Sequence, residues 1–310
     1  MLCIDNVTKK YDGSLAIENI NFSVKRGVAC GIVGYNGAGK TTLLKTICGV
    51  LIPDNGDVTL DSQKVFSSME ARCKVFFVTD IPYWLPQSNM VQMKKFYAGY
   101  YLNFNEHTFK YLAESFKLDV HKKLVGFSKG MQKQAALIFA LSSGAEYLLL
   151  DELFDGLDPQ MLEIVIKLLK VSIKENRITV VLASHNLPKV GQFCDRVILI
   201  NGKSLVYDKD AKELLAASYK YSFVRDGESV VDDYVSYFAA KGIIVKGLEI
   251  AEDIVSFSAT GNVKEVMLLL EAKINRCASY RPMTFEEIVL SDIAPHDSDF
   301  TGLVSRMGSN

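Results

Sequence analysis

The chain has 310 residues, 49% of them hydrophobic, and its 35 basic residues nearly cancel its 36 acidic ones, leaving a formal net charge of -1. A length close to two ordinary domains with that apolar content specifies a globular protein with a sizeable core; the charge balance gives no footprint for nucleic acid or for an anionic membrane surface. Asp5 falls where a signal peptide needs its apolar centre, no stretch reaches about 18 uncharged apolar residues, and the cysteines stand singly without Cys-x-x-Cys spacing, so the expectation is a cytoplasmic chain with reduced thiols and no direct membrane insertion.

Short polar-apolar runs, Leu2-Cys-Ile and Ile20 to Val24, predict antiparallel strands. The fully apolar Val28 to Val33 follows and leads into Gly34-Tyr-Asn-Gly-Ala-Gly-Lys-Thr-Thr42, which opens the helical pattern Leu43 to Val50. A glycine-rich stretch between strand and helix is a phosphate-binding loop, because it wraps a polyphosphate against a helix N-terminus. Gly34, Gly37 and Gly39 let the backbone approach without a Cβ, and the amides through Asn36 and Ala38 line the resulting anion nest. Lys40 supplies a point charge for the outer phosphates, Thr41 a hydroxyl for Mg²⁺, and Thr42 a further phosphate hydrogen bond. The loop implies a nucleoside triphosphate with Mg²⁺.

Pro53-Asp-Asn-Gly56 predicts a turn before the strand Asp57 to Leu60, and Val75 to Val78 reads as a short buried strand. From about residue 88 to 141 the pattern is helical, an insert. Tyr147-Leu-Leu-Leu150 then ends in Asp151-Glu152, and successive strand residues point to opposite faces, so the two acids cannot share a task. Asp151 suits Mg²⁺ and Glu152 suits the water that attacks the γ-phosphate. A helix from Met161 to Ile173, the strand Ile178 to Ala183, a helical segment and the strand Arg196 to Ile200 continue a mostly parallel sheet. Beyond residue 218 the order strand, helix, strand pair, helix, strand suits a small split βαβ sandwich. The expected organisation is an α/β P-loop domain over 1–217, an α+β extension over 218–294, and a poorly ordered tail over 295–310.

Together these motifs make the chain resemble the ATP-binding subunit of an ABC transporter over residues 1 to about 210. Phe127-Ser-Lys-Gly-Met131 is similar to the family signature; the resemblance implies that Ser128 and Gly130 bind the γ-phosphate held by an opposite subunit. It likewise implies that Gly156-Leu-Asp158 crosses the dimer interface, that His185 holds the γ-phosphate and Glu152 in register, and that Tyr11 stacks on adenine. Where the family usually has a Gln sensing Mg²⁺, this chain has Asp80, which can still take a metal-bound water. Lys129, Met131 and the C-terminal extension resemble the exporter branch that includes bacitracin-resistance and phenol-soluble-modulin (peptide toxin) exporters.

The resemblance implies an ATPase that pairs head to tail with a second copy or close relative and drives a separate integral membrane permease. The aromatics from Ile81 to Tyr101 fall where the family docks permease helices; they equally suit the core of the insert, with Trp84, between two prolines, expected to be the exposed one. Two other readings stand: a non-transport ATPase of translation or repair type, whose usual second cassette, coiled coil or zinc modules are absent from this sequence, and a switch regulated by ligand at the C-terminal extension.

Overall fold

The computed structural model describes residues 1–224, 236–251, 254–260, 262–274 and 278–293. The chain divides into two units, Met1–Ala211 and Lys212–Asn310.

In the first unit, β1 (Leu2–Tyr11) and β2 (Ser14–Val24) pair antiparallel with Leu2 opposite Val24. With β4 (Asn55–Leu60) and β5 (Gln63–Lys64) they make a four-stranded sheet in the order β2-β1-β4-β5. The second sheet holds β3 (Ala29–Val33), β6 (Val75–Val78), β7 (Tyr147–Asp151), β8 (Thr179–Ala183), β9 (Arg196–Asn201) and β10 (Ser204–Asp210), in the order β10-β9-β3-β8-β7-β6. Its strands run parallel except β10, which closes one edge antiparallel. Every residue of β3, β7 and β8 is buried, which is why those runs read as continuously apolar: a parallel strand covered on both faces has no polar side to show. Leu2, Ile17, Ile32, Leu43, Leu149 and Val181 share one core cluster.

Except at the glycine loop, the α-helices of this unit between residues 40 and 193 start where polar side chains satisfy their free amides. Helix α1 (Lys40–Ile47) grows directly from Gly39, and α2 (Met69–Cys73) is capped by Ser68. Asn89 and Gln92 form a reciprocal capping box at α3 (Met90–Tyr100), and Asn105 caps α4 (Glu106–Ser115). Ser128 caps α5 (Lys129–Ser142), and Asp158 with Pro159 begins α6 (Pro159–Asn176). Helix α7 (Leu187–Phe193) starts at Asn186.

Trp84 is only 9% exposed, contrary to the expectation that the prolines would hold it outward. Its ring lies 5.9 Å from that of Phe139, and its Nε1–H donates to Gln132 Oε1 at 3.3 Å. A large ring with one donor is best placed where both the apolar body and the N–H find partners. The most exposed apolar residues of that stretch are Ile81 and Tyr83, followed by Phe96, with Leu85 and Tyr100 less so. Tyr97 and Phe109 join Phe139 in the same ring cluster.

In the second unit, β11 (Ser218–Val224), β12 (Val245–Ala251), β13 (Ile254–Thr260) and β14 (Ser279–Pro282) form an antiparallel sheet in the order β12-β13-β11-β14. Residues 236–239 and Val263–Ile274 are helical, giving the split βαβ order. Tyr221, Phe238, Phe257 and Leu270 are at its core. A further helix, Phe285–Ile293, follows the closing strand and was not foreseen; it is held by a capping box in which Thr284 and Glu287 exchange bonds. The expected tail, residues 295–310, lies outside the described residues, as does Cys277. Cys3, Cys30, Cys48, Cys73 and Cys194 are free thiols; burial pushes Cys30 up to about 12, so it stays a protonated, unreactive thiol.

Candidate functional site

Strand register assembles the site. Asp151, the last residue of β7, pairs with Ala183, the last of β8, and Ile32 of β3 pairs with the same Ala183. Val78 of β6 pairs with Leu150. The glycine loop, Asp80, the Asp151-Glu152 pair and His185 therefore leave the sheet at one edge, the carboxyl ends of its parallel strands, where open α/β sheets bind ligands.

A cavity of about 310 Å³ lies there, lined by Ala16, Asn36, Gly37, Gly39, Lys40, Thr41, Thr42, Asp80, Asp151 and Glu152. Gly39 has φ +101, and a Cβ on it would lie 2.6 Å from Ala16 O. Only glycine fits that approach. The Lys40 ammonium donates to the loop carbonyls of Gly34 at 2.8 Å and Tyr35 at 3.1 Å. Burial lowers its pKa, partly opposed by the carboxylates of Glu152 and Asp151.

Asp151 is 3% exposed. Its Oδ2 accepts the Thr41 hydroxyl at 2.8 Å, whereas its Oδ1 is buried with no hydrogen-bond partner. Burial raises its pKa; the Thr41 bond opposes this, and the nearby charges of Glu152 and Asp80 add to it. A buried, unpaired carboxylate oxygen beside a hydroxyl and a second carboxylate is a set of hard oxygen donors suited to Mg²⁺, which takes few protein ligands and shares the rest with phosphate and water.

Glu152 adopts φ 49, a left-handed conformation that costs about 1–2 kcal/mol in a non-glycine residue. Its amide donates to Ala183 O at 2.9 Å, and its Oε2 accepts from the His185 backbone N–H at 3.2 Å. The His185 Nδ1 lies 3.1 Å from the same oxygen and 3.4 Å from Asp155 Oδ2. Burial, then the Glu152 charge, raises the Asp155 pKa. His185 itself is exposed and does not line the cavity; it reaches the cavity through Glu152.

Tyr11 is 44% exposed beside the loop, its hydroxyl 3.5 Å from Thr42 Oγ1. Ser128, Gly130 and Asp158 stand apart from the cavity lining. Ser128 Oγ accepts from Met131 N–H at 3.3 Å, Asp158 Oδ1 caps α6, and a Cβ on Gly130 would lie 2.9 Å from Gly156 O. Asp80 lines the cavity with its Oδ1 engaged by Lys133 at 3.0 Å. Two residues at the site escaped the sequence reading. Asp155 follows Leu153-Phe154 without a motif of its own. Lys133 left a signal: it shares the buried stripe of α5 with Ala136, Leu137 and Ala140, at helical spacing where a charge is out of place.

The ABC transporter family profile matches residues 17–155. Over 223 residues the chain is 30% identical to the zinc uptake system ATP-binding protein ZurA of Listeria monocytogenes, covering 68% of this chain and 86% of that protein. It is 28% identical over 222 residues to the bacitracin transport ATP-binding protein BcrA of Bacillus licheniformis, covering 70% and 72%. The uncharacterized ABC transporter ATP-binding protein MJ1023 of Methanocaldococcus jannaschii matches at 26% over 271 residues, covering 86% of this chain and 97% of the relative. A match of that extent runs past Ala211 into the second unit. Among solved structures, the dimeric, post-hydrolysis ATP-binding cassette MJ0796 bound to ADP and Pi superposes with TM-score 0.63 at 24% identity, over 68% of this chain and 99% of that one. That likeness is one of fold.

Proposed function

The chain belongs to the ATP-binding proteins of the ABC transporter family, and from that premise we propose that it is an ATPase subunit whose Glu152 activates water against MgATP to drive a separate membrane permease. The observation that carries this reading is the orphaned Asp151 oxygen beside the Thr41 hydroxyl, with Glu152 one residue further along the same cavity.

The loop amides and the helix α1 N-terminus hold the phosphates, and Lys40 exchanges its carbonyl partners for the outer phosphate oxygens. Thr41 and Asp151, with Asp80 through a water, are the residues that would hold Mg²⁺, which supplies charge neutralisation at the γ-phosphate. Glu152 takes a proton from the attacking water as the new P–O bond forms and the bond to the ADP oxygen breaks. His185, at hydrogen-bond reach of Glu152 Oε2, keeps that carboxylate aimed. Tyr11 offers its ring to the adenine.

Ser128, Gly130 and Asp158 lie off this cavity, which fits a head-to-tail pair in which they meet the nucleotide of a second copy or close relative. For the permease, we favour the groove of about 350 Å³ lined by Val75, Phe76, Phe96, Tyr97 and Tyr100 among others. An amphipathic helix needs such an apolar-lined seat. No helix among the described residues is long and apolar enough to cross a membrane; the permease contact is what would hold the subunit at the cytoplasmic face.

For the direction of transport we favour export of peptides or hydrophobic antimicrobial compounds, on Lys129 and Met131 and on the likeness to the bacitracin transport protein BcrA. Import is the second reading, supported by the 30% identity to the zinc uptake protein ZurA. Glu152→Gln tests the core of the proposal. The variant should bind ATP undiminished, lose about 10²–10⁴-fold in turnover, and accumulate as a dimer in MgATP. Turnover equal to wild type would sink the assignment of Glu152 as general base. Capture of membrane proteins by this trapped dimer, followed by uptake and efflux assays with the permease so identified, separates export from import.

A further inference from the structure

Lys133 is 5% exposed, on a helix face otherwise lined by Ala136, Leu137 and Ala140. An ammonium taken out of water is costly unless it is paired and hydrogen-bonded. Its Nζ donates to Asp80 Oδ1 at 3.0 Å and to the main-chain carbonyl of Glu152. Those two partners belong to different elements: Asp80 to the loop between β6 and α3, Glu152 to the turn that ends β7. Lys133 comes from α5, just behind the Ser128 cap. One buried charge therefore ties three segments together.

The bond to Glu152 matters because of how that residue is held. Its left-handed φ of 49 is sustained by neighbours. The amide donates to Ala183 O, and the carbonyl accepts both the Asp155 N–H at 3.2 Å and the Lys133 ammonium. Releasing Lys133 leaves the carbonyl held by the Asp155 N–H alone, while the amide side stays anchored to β8. The backbone of Glu152 is then held by fewer bonds, and with it the carboxylate that accepts from the His185 amide. Asp80 is half exposed and immediately precedes the exposed Ile81, so the anchor of this arrangement sits where the loop faces solvent.

We propose that Lys133 is a positioning residue for Glu152: its buried ammonium clamps the Glu152 carbonyl and is itself held by Asp80, so that the loop after β6 sets the aim of the general base. The inference rests on the reading of Glu152 given above. It assigns Asp80 a task toward Lys133 through Oδ1, leaving Oδ2 for a metal-bound water.

The test compares ATP turnover, binding of a fluorescent ATP analogue and thermal midpoint in the full chain for Lys133→Met, Lys133→Arg and Asp80→Asn, each with and without Glu152→Gln. Lys133→Met keeps the apolar stem, and Asp80→Asn alters a solvated side chain, so at least one of them leaves the fold intact. The expected result is a fall in kcat on the order of tenfold to hundredfold for Lys133→Met with analogue binding unchanged within about twofold. Lys133→Arg should restore part of the turnover, and Asp80→Asn should give a smaller loss of the same kind. In the Glu152→Gln background, Lys133→Met should add no further loss, because both changes remove the same group from its task. Unchanged kcat in both Lys133→Met and Asp80→Asn beside a deficient Glu152→Gln would overturn the inference and leave the general base standing. A full additional loss on top of Glu152→Gln would also overturn it. Undiminished turnover in Glu152→Gln itself would bring down the underlying reading, and the inference with it.

Discussion

Replacing Asp151 with asparagine should make the protein more stable without nucleotide and nearly blind to Mg²⁺. The carboxylate is 3% exposed, and its Oδ1 has no partner. Leaving a buried acceptor unpaired costs about 1–3 kcal/mol, and more when the group is charged. Asparagine keeps a carbonyl for the Thr41 hydroxyl but brings an amide that needs an acceptor, so we expect a gain of about 1–2 kcal/mol, at the low end of that range. For a unit of this size that is a rise of roughly 2–8 °C in melting midpoint. The gain has a definite pH dependence. Folding raises the Asp151 pKa, chiefly by burial, so the folded state holds its proton more tightly than the unfolded chain. The penalty in wild type is absent below the ordinary carboxylate value near pH 4 and grows as pH rises through the raised value; the advantage of the asparagine variant should appear above pH ~4 and vanish below it. With ATP and Mg²⁺ at about 100 times the dissociation constant, wild type should gain about 2.7 kcal/mol, roughly 5–11 °C. In the variant, adding Mg²⁺ to ATP should move the midpoint little. Differential scanning calorimetry at several pH values, with EDTA, ATP and MgATP, measures all of this. A variant that melts below wild type without ligand, or that keeps the full Mg²⁺-dependent rise, would refute the claim that this oxygen awaits a cation.

Gly39→Ala should cost about 1–3 kcal/mol and abolish tight ATP binding, because φ +101 is strained for alanine and its Cβ would press on the Ala16 carbonyl; thermal melts and analogue titration check both effects. Asp158→Ala removes the cap on the Gln160 and Met161 amides and should destabilise the first unit by about 1 kcal/mol, read from urea unfolding, while a loss of MgATP-induced dimerisation in the Glu152→Gln background would show its interface role separately. In the second unit, the Arg281 bonds and the Thr284 cap depress Glu287 to about 2. Its stabilisation is thus present above the ordinary glutamate value and lost as pH falls toward 2, and Glu287→Gln should destabilise that unit modestly at pH 7, since Arg281 is solvent-exposed, with the difference shrinking on acidification.

The glycine loop, the Asp151-Glu152 pair and the strand-helix alternation could be read directly because each is a local rule: backbone freedom at defined positions, an apolar strand ending in acids, a period that shifts between two and 3.6. Even the split βαβ order of the second unit was visible, since strand and helix periods survive without knowledge of the fold. The helix Phe285–Ile293 was missed because its start depends on a reciprocal Thr284-Glu287 bond that a polar dipeptide spacing announces only weakly. Trp84 was misplaced for a different reason. Flanking prolines constrain the backbone, whereas the ring's position was fixed by Phe139 and Gln132, which come from a helix far along the chain.

The sequence by itself determined which groups are candidates to hold phosphate and which acids stand beside them, because those properties belong to side chains and to short backbone runs. Only the tertiary structure decided that Asp80, Asp151 and Glu152 share one cavity and that His185 flanks it through Glu152, because that depends on parallel strand register, with Ala183 beside both Asp151 and Ile32. It alone decided the partners of Lys133. A lysine in an apolar helical stripe reveals that its charge must be satisfied, but the carbonyl and carboxylate that satisfy it are brought from two other strand ends by folding.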